Sequence, residues 1–399
     1  MLSTGRHLAS GREFSSVREE AGRSKGILMG VLRVLLALSV VLSHLGDYGG
    51  ISLAGGFASV QMFYIISGFY MATILTEKYD PRRDLGVFYT NRFLRIYSIY
   101  FVALAMSLAG YYALWATSHS SWFYQAAADN VPNLNWPTRL WLSFTGLFVF
   151  GQETTLFQRF ADGGLIFTSA EPDNNNPVWH LMPVPQAWSI SIELVFYCLV
   201  PFLIRLRTRW LVAIIVVTEA LRVWLYYGLN LDHDPWLSRF FPLEIATFVM
   251  GMVARRIYDR YIYQIPRRTQ ITIGAGFIIG ACFIRALMFT FPINQVVWPF
   301  YICALIALPC LFQLTRNSKL DSFIGNFSYP LYLIHWFVLI AYDALTAGWH
   351  LPSMNTGARV AICLALSFFL SWIIMILVEV PLDRYRQRRY ARMSIAAKG

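Results

Sequence analysis

Long apolar runs separated by short polar segments dominate the chain. Ten of them lie near residues 27–45, 57–75, 97–115, 188–204, 210–229, 239–254, 271–289, 297–314, 323–341 and 358–379. Several approach 20 mostly apolar residues, the length an α-helix needs to cross a hydrocarbon core of roughly 30 Å. Helices apolar all round have no solvent face, and one soluble core cannot hide this many. The pattern therefore predicts an all-α polytopic membrane helix bundle of about ten transmembrane helices. An eleventh apolar run, TRLWLSFTGLFVF (138–150), is too short for a comfortable span and predicts an interfacial or re-entrant helix.

Composition agrees with this reading. The chain is 57% hydrophobic and 14% charged, whereas soluble domains are about half apolar and about a quarter charged. The net charge of +11 could suggest a nucleic-acid partner, but its distribution points to membrane topology instead. With the N-terminus in the cytoplasm, 26 of the 33 Lys and Arg residues fall in segments that alternate to the inside. The outside loops hold only Arg139 and Arg159. The positive-inside rule then places both termini in the cytoplasm.

The expected organisation is a polar N-tail (1–26), a transmembrane domain (27–382) with an outer loop at 116–187, and a basic C-tail (383–399). RYRQRRYAR in that tail reads as a topology anchor and lipid-headgroup contact, with no nucleic-acid role. No small-residue cleavage site follows the first apolar run, so the run reads as a retained span of a multi-pass cell-membrane protein. Stretch 151–187, with Pro172, Asn174, Asn175, Asn176, Pro177, Pro183 and Pro185, reads as a loop without regular structure, placed to cover the outer face. Cys198, Cys282, Cys303 and Cys363 sit in apolar runs without metal-ligand spacing and read as small buried hydrophobes. No metal site and no permanently bound cofactor are expected.

Chemistry begins with RVLLALSVVLSH (33–44). Eleven steps of about 100° leave Arg33 and His44 some 20° apart on one helix face, with an axial separation of roughly 16 Å. Ionisable residues at such depth usually face a cavity. Arg33 alone could be a snorkelling anchor, and His44 alone a satisfied interfacial histidine. Ser67-Gly68 in the second run could bond across helices or serve close packing. Arg92 and Arg95, three apart, would present two guanidinium forks suited to phosphate, or anchor the topology. Trp188 marks the outer interface, and Glu193 lies about a turn and a half into the membrane. Such a carboxylate needs a partner or a function. Ser328, Tyr329 and His335 surround a proline in the ninth span; the tyrosines also fit an aromatic belt, and His335 also fits a satisfied polar group. Glu219 and Arg222 suggest an intrahelical pair, and Glu244 with Arg285 a pair between spans six and seven.

Together these stretches resemble the acyltransferase-3 family of integral membrane O-acyltransferases, from residue 27 to about 385. The marks are Arg33-x10-His44, the SGF of Ser67 to Phe69, the R-x-x-R of Arg92 and Arg95, WSISIELVFY (188–197), SYPLYLIH (328–335) and the closing VEVPLDR (378–384). Tyr64 stands where the family commonly has a second Phe, a conservative change. Some branches carry a fused SGNH-type domain; this chain resembles the stand-alone form.

The resemblance implies movement of an acyl group, usually acetyl, from a cytoplasmic thioester to a hydroxyl of a carbohydrate or glycoconjugate acceptor. The implied donor is acetyl-CoA or another acyl-CoA. Arg92 and Arg95 would bind its phosphates, and Arg33 its arm or the thioester oxyanion. His44 would act as general base or transient acyl carrier. Glu193 would orient the imidazole or bind the acceptor. Ser67 and Tyr329 would line the channel, with Trp188, Tyr329 and His335 toward the acceptor. The rival reading is a proton-coupled secondary transporter, to which buried charges also suit; a purely structural subunit is a third. The acceptor's identity and the oligomeric state are not legible in the sequence.

Overall fold

A computed structural model describes residues 27–46, 53–117, 123, 125, 129–161, 163–169, 178–236, 238–290, 293–348 and 355–396. The predicted N-tail (1–26) and the Pro/Asn-rich stretch 171–177 lie outside the described residues. Ten helices or helix pairs account for the ten predicted spans. They are α1 (Leu28–His44), α2 (Gly55–Glu77), α3 (Leu85–Ala116), α5 (Trp188–Leu203), α6 (Thr208–Gly228), α7 (Phe241–Tyr261), α8 (Arg267–Thr290), α9 (Ile293–Thr315), α10 (Lys319–Asn326) running into α11 (Ser328–Gly348), and α12 (Thr356–Ile374). The last continues through a π-helical turn (Met375–Glu379) into α13 (Val380–Ala396). Among the described residues, eight helices are long and apolar enough to cross a membrane. α1 is shorter at 17 residues, and α7 has the length but carries charge in its last turns.

The short run between α3 and α5 forms α4 (Trp136–Phe148). Its 13 residues reach only about 20 Å, too short to span. Trp136, Leu140, Phe144 and Leu147 are exposed on one side, while Thr138, Leu142 and Thr145 are buried on the other. Tyr97 and Tyr100 of α3 donate to the Phe148 and Gly146 carbonyls at its end. The expectation of an irregular loop over 151–187 is corrected. Short 3-10 turns alternate with an antiparallel hairpin of β1 (Gln158–Ala161) and β2 (Gly164–Phe167).

α2 is the central helix: 83% of its most apolar 18-residue window is buried, against 17% for α6. Side chains that would be lipid-facing elsewhere meet neighbouring helices on every side, and α2 packs most closely on α7. Gly68 and Gly251 make that contact possible. A Cβ on Gly68 would stand 1.9 Å from the Phe248 carbonyl oxygen, and one on Gly251 2.0 Å from that of Ile65. Where lipid is as apolar as the side chains, such close backbone approach drives helix association.

Two poles result. At one, Glu77 meets Arg255 at 3.0 Å, Arg205 donates to the Pro81 carbonyl, Tyr390 donates to Lys78 O at 2.7 Å and Arg386 pairs with Asp383 at 2.6 Å. At the other lie His44, the hairpin and the starts of α5 and α7. Between them, Arg222 bonds Glu219 at 3.1 Å and Glu244 at 3.2 Å, and Gln61 donates to Glu244 at 2.9 Å. The ion pair of Glu244 is therefore with Arg222, on the helix before α7, and not with the predicted Arg285 on the helix after it. Arg285 instead lies 4.5 Å over the Phe289 ring.

Alanine at Gly68 or Gly251 should force α2 and α7 apart and lower stability by about 1–3 kcal/mol, the usual cost of overpacking. Gly276 has open space around its α-carbon, so Gly276→Ala is expected to leave the thermal unfolding midpoint in nanodiscs unchanged or raised. Equal midpoints for all three variants would contradict the packing account.

Candidate active site

One cavity lies inside the bundle between the poles. α1 supplies Arg33 to its wall, α2 supplies Tyr64, Ser67 and Tyr70, and α3 supplies Arg95. Ser189, Glu193 and Tyr197 come from α5, and Ser328, Tyr329 and Tyr332 from α11. Apolar helix surface would leave such a carboxylate unsatisfied, at a cost of several kcal/mol. The site answers it with hydroxyls. Glu193 Oε1 accepts from Ser67 Oγ at 2.5 Å and from Tyr197 OH at 2.6 Å. Tyr197 stands four residues on from Glu193 and so shares its helix face. Ser67 reaches across from α2, while the neighbouring Gly68 packs against α7, so the two readings of this dipeptide coexist.

Cations face the carboxylate. Neither Arg33 nor Arg95 makes an ion pair or hydrogen bond among the described residues. The Arg95 charge acts on Glu379, Tyr197 and Glu193, and the Arg33 charge on Tyr70, Glu379 and Asp321. Glu379 sits in the π turn, almost fully buried, with Oε2 lacking a hydrogen-bond partner. Such turns often mark functional positions. Sequence reasoning missed Glu379 and Tyr197. The available signals were an acid inside an apolar run and a tyrosine at i+4 from Glu193.

Arg92 is buried outside the cavity wall, its Nη1 3.9 Å from Met71 Sδ and its Nε without a partner. Of the two forks predicted side by side, only Arg95 lines the cavity. Tyr329 donates to the Ile96 carbonyl at 3.0 Å. Trp188 stands outside, under the Arg239 guanidinium at 4.5 Å.

A hydrogen-bonded ceiling closes the cavity toward the histidine pole. Tyr332 OH donates to Gln186 O at 2.9 Å and meets Ser189 Oγ at 2.6 Å, and Tyr64 OH donates to Ser189 O at 3.4 Å. One turn past Tyr332, His335 stacks on His44 with ring centroids 5.2 Å apart, and Trp336 edges His44 at 4.8 Å. His335 Nδ1 is 2.7 Å from the Tyr332 carbonyl. His44 Nδ1 is 2.9 Å from the Val40 carbonyl and 3.3 Å from His335 Nε2. A carbonyl only accepts, so both Nδ1 atoms carry the proton in the neutral rings. The His44 Nδ1–H is shared with the His335 Nε2 lone pair, and His44 Nε2 is left as a base. Arg33 and His44 thus belong to one helix but to two compartments. The acid is absent from the second: both partners of Glu193 are hydroxyls, and neither is the imidazole.

Comparison with known proteins accords with these features. Residues 29–376 match the acyltransferase domain of the acyltransferase-3 family. A Staphylococcus aureus (strain COL) protein provisionally named an O-acetyltransferase is 22% identical over 340 residues, covering 77% of this chain and 50% of that protein. Nodulation protein 10 of Rhizobium leguminosarum bv. viciae is 26% identical over 247 residues, 58% of this chain and 59% of its own length. The chain spans about half the length of the staphylococcal relatives it matches. No solved structure matches it. On the family match across most of its length, the chain belongs to the acyltransferase-3 family.

Proposed function

We infer that this protein is a membrane O-acyltransferase. It moves an acyl group, most simply acetyl, from acyl-CoA at the arginine-rich pole to a carbohydrate or glycoconjugate hydroxyl at the histidine pole. The observation that carries this reading is the pair of unpaired guanidinium groups, Arg33 and Arg95, in a cavity whose ceiling bears on His335 and His44. Two cations on one cavity wall, without partners among the described residues, suit an anionic or strongly dipolar guest. A phosphate-bearing donor with a long polar arm meets that need along the length of the cavity.

The residues then divide the work. Arg95, with Arg92 behind it, holds the donor's phosphate end. Arg33 holds the donor's arm. Ser67, Glu193, Tyr197 and Tyr329 keep the cavity polar and position the arm. Opening of the Tyr332–Ser189 contact would let the thioester approach His44. There, His44 Nε2 takes the acceptor's hydroxyl proton while the oxygen attacks the thioester carbonyl. The C–S bond breaks, and the imidazolium returns the proton to the departing thiolate. His335 positions His44 by accepting its Nδ1–H, which fixes the tautomer and eases the transient positive charge.

With radiolabelled acetyl-CoA and protein in nanodiscs, His44→Ala is expected to lower acyl transfer or release about 10²–10⁴-fold while the fold stays intact. His335→Ala should lose about tenfold, since the base survives without its guide. Turnover indifferent to His44→Ala would move catalysis elsewhere and refute this assignment.

Arg95→Lys keeps the charge but loses the planar fork, so the KM for acyl-CoA is expected to rise about tenfold, with a smaller change in kcat. An unchanged KM for both Arg95→Lys and Arg33→Lys would remove the cavity from donor binding.

A further inference from the structure

A second cavity opens at the histidine pole between the chain after α4 and the start of α7. Three aromatic rings form one wall. Phe157 meets Trp236 edge-on at 5.0 Å, Trp236 meets Phe240 at 5.3 Å, and Phe157 and Phe240 are 6.0 Å apart. The Trp236 indole N–H is buried and has no acceptor. Its ring lines the cavity while this N–H is turned away from it.

Glu153 and Arg239 add polar groups to the lining. Glu153 accepts a short hydrogen bond from Ser191 Oγ, and Arg239 is held by Asp234 at 2.7 Å. Burial pushes the Glu153 carboxyl up from its usual range, and the Ser191 hydroxyl pulls it part of the way back. These anchors tie the cavity to the candidate active site. Ser191 is two residues from Glu193 on α5. The Arg239 charge also reaches His44 and Tyr332.

We propose that this cavity is the acceptor subsite, and that it takes a neutral pyranose ring. The apolar C–H face of such a ring would lie on Trp236 and Phe240. A hydroxyl of the ring would donate to Glu153. Another hydroxyl is thereby presented toward His44. The assignment rests on the acyltransferase reading for its purpose but on its own residues for its chemistry.

The test is binding of full-length protein in nanodiscs, without acyl-CoA, to an array of pyranose-terminated oligosaccharides. The expected result is retention of a subset of these glycans. Trp236→Ala and Glu153→Gln should each weaken the retained glycans about tenfold, the worth of one stacking or hydrogen-bonding contact. Trp210→Ala, at an exposed position on α6, should leave binding unchanged. Glu153→Gln preserves shape, so it keeps the proposal testable if Trp236→Ala fails to fold. No glycan bound by the wild type, or binding indifferent to both substitutions, would overturn the subsite. A cavity occupied by co-purified lipid, seen by mass spectrometry with no glycan retained, would overturn it in favour of a headgroup cleft. Glycan binding that depends on Trp236 without acyl transfer would sustain the subsite and sink the acyltransferase reading. Acyl transfer to a glycan that binds independently of Trp236 and Glu153 would do the reverse.

Discussion

A carboxylate and two guanidinium groups set around one cavity in an apolar bundle organise this structure. Within helices that are otherwise apolar, an unanswered charge is costly, so Glu193, Arg33 and Arg95 constrain everything around them. Ser67 and Tyr197 satisfy the acid directly. The two cations keep no direct partner among the described residues, and the cavity between them is the result. The close approach of α2 and α7 at Gly68 and Gly251 makes this affordable, because it fixes Ser67 at the height of Glu193. A bundle without that contact would let α2 drift, and the Ser67–Glu193 bond would open with it.

The same logic separates the two poles. On the proposed function, donor chemistry would use cations at depth, and these enter from α1 and α3. Acceptor chemistry would use a base of defined tautomer, and backbone carbonyls of α1 and α11 supply that definition. Tyr332 belongs to both regions: its hydroxyl closes the cavity, and its carbonyl holds His335. A change at one face of this residue is therefore felt at the other. On the proposed function, Tyr332 is where donor occupancy would couple to the state of His44.

Much of this was legible in the sequence, and the failures have physical causes. Span positions follow from hydropathy alone, because lipid leaves the backbone few options other than a helix. Arg33, Ser67, Arg95, Glu193 and Tyr329 stood out as costly or unusual residues in apolar runs, and they line one cavity. Helical arithmetic correctly put Arg33 and His44 on one face, yet it carried no information about a ceiling made by three other helices. Arg92 and Arg95 share a face by spacing, but a small rotation of α3 decides which of them meets the cavity. Glu244 was matched with Arg285 because charge complementarity does not rank partners; packing of α6 on α7 chose Arg222. The β1–β2 hairpin was missed because strands of four residues carry little periodic signal. Glu379 was hidden because no composition rule marks a π turn.

The central claim is that the acyl group is drawn from one pole and delivered at the other. The most direct measurement is sided transfer in proteoliposomes of known orientation. Radiolabelled acyl-CoA is supplied on the side of Arg205 and Arg255, with a carbohydrate acceptor confined to the opposite compartment. The account predicts labelled acceptor across the membrane, with CoA released on the donor side. Labelled acceptor formed only when donor and acceptor share one compartment would contradict it.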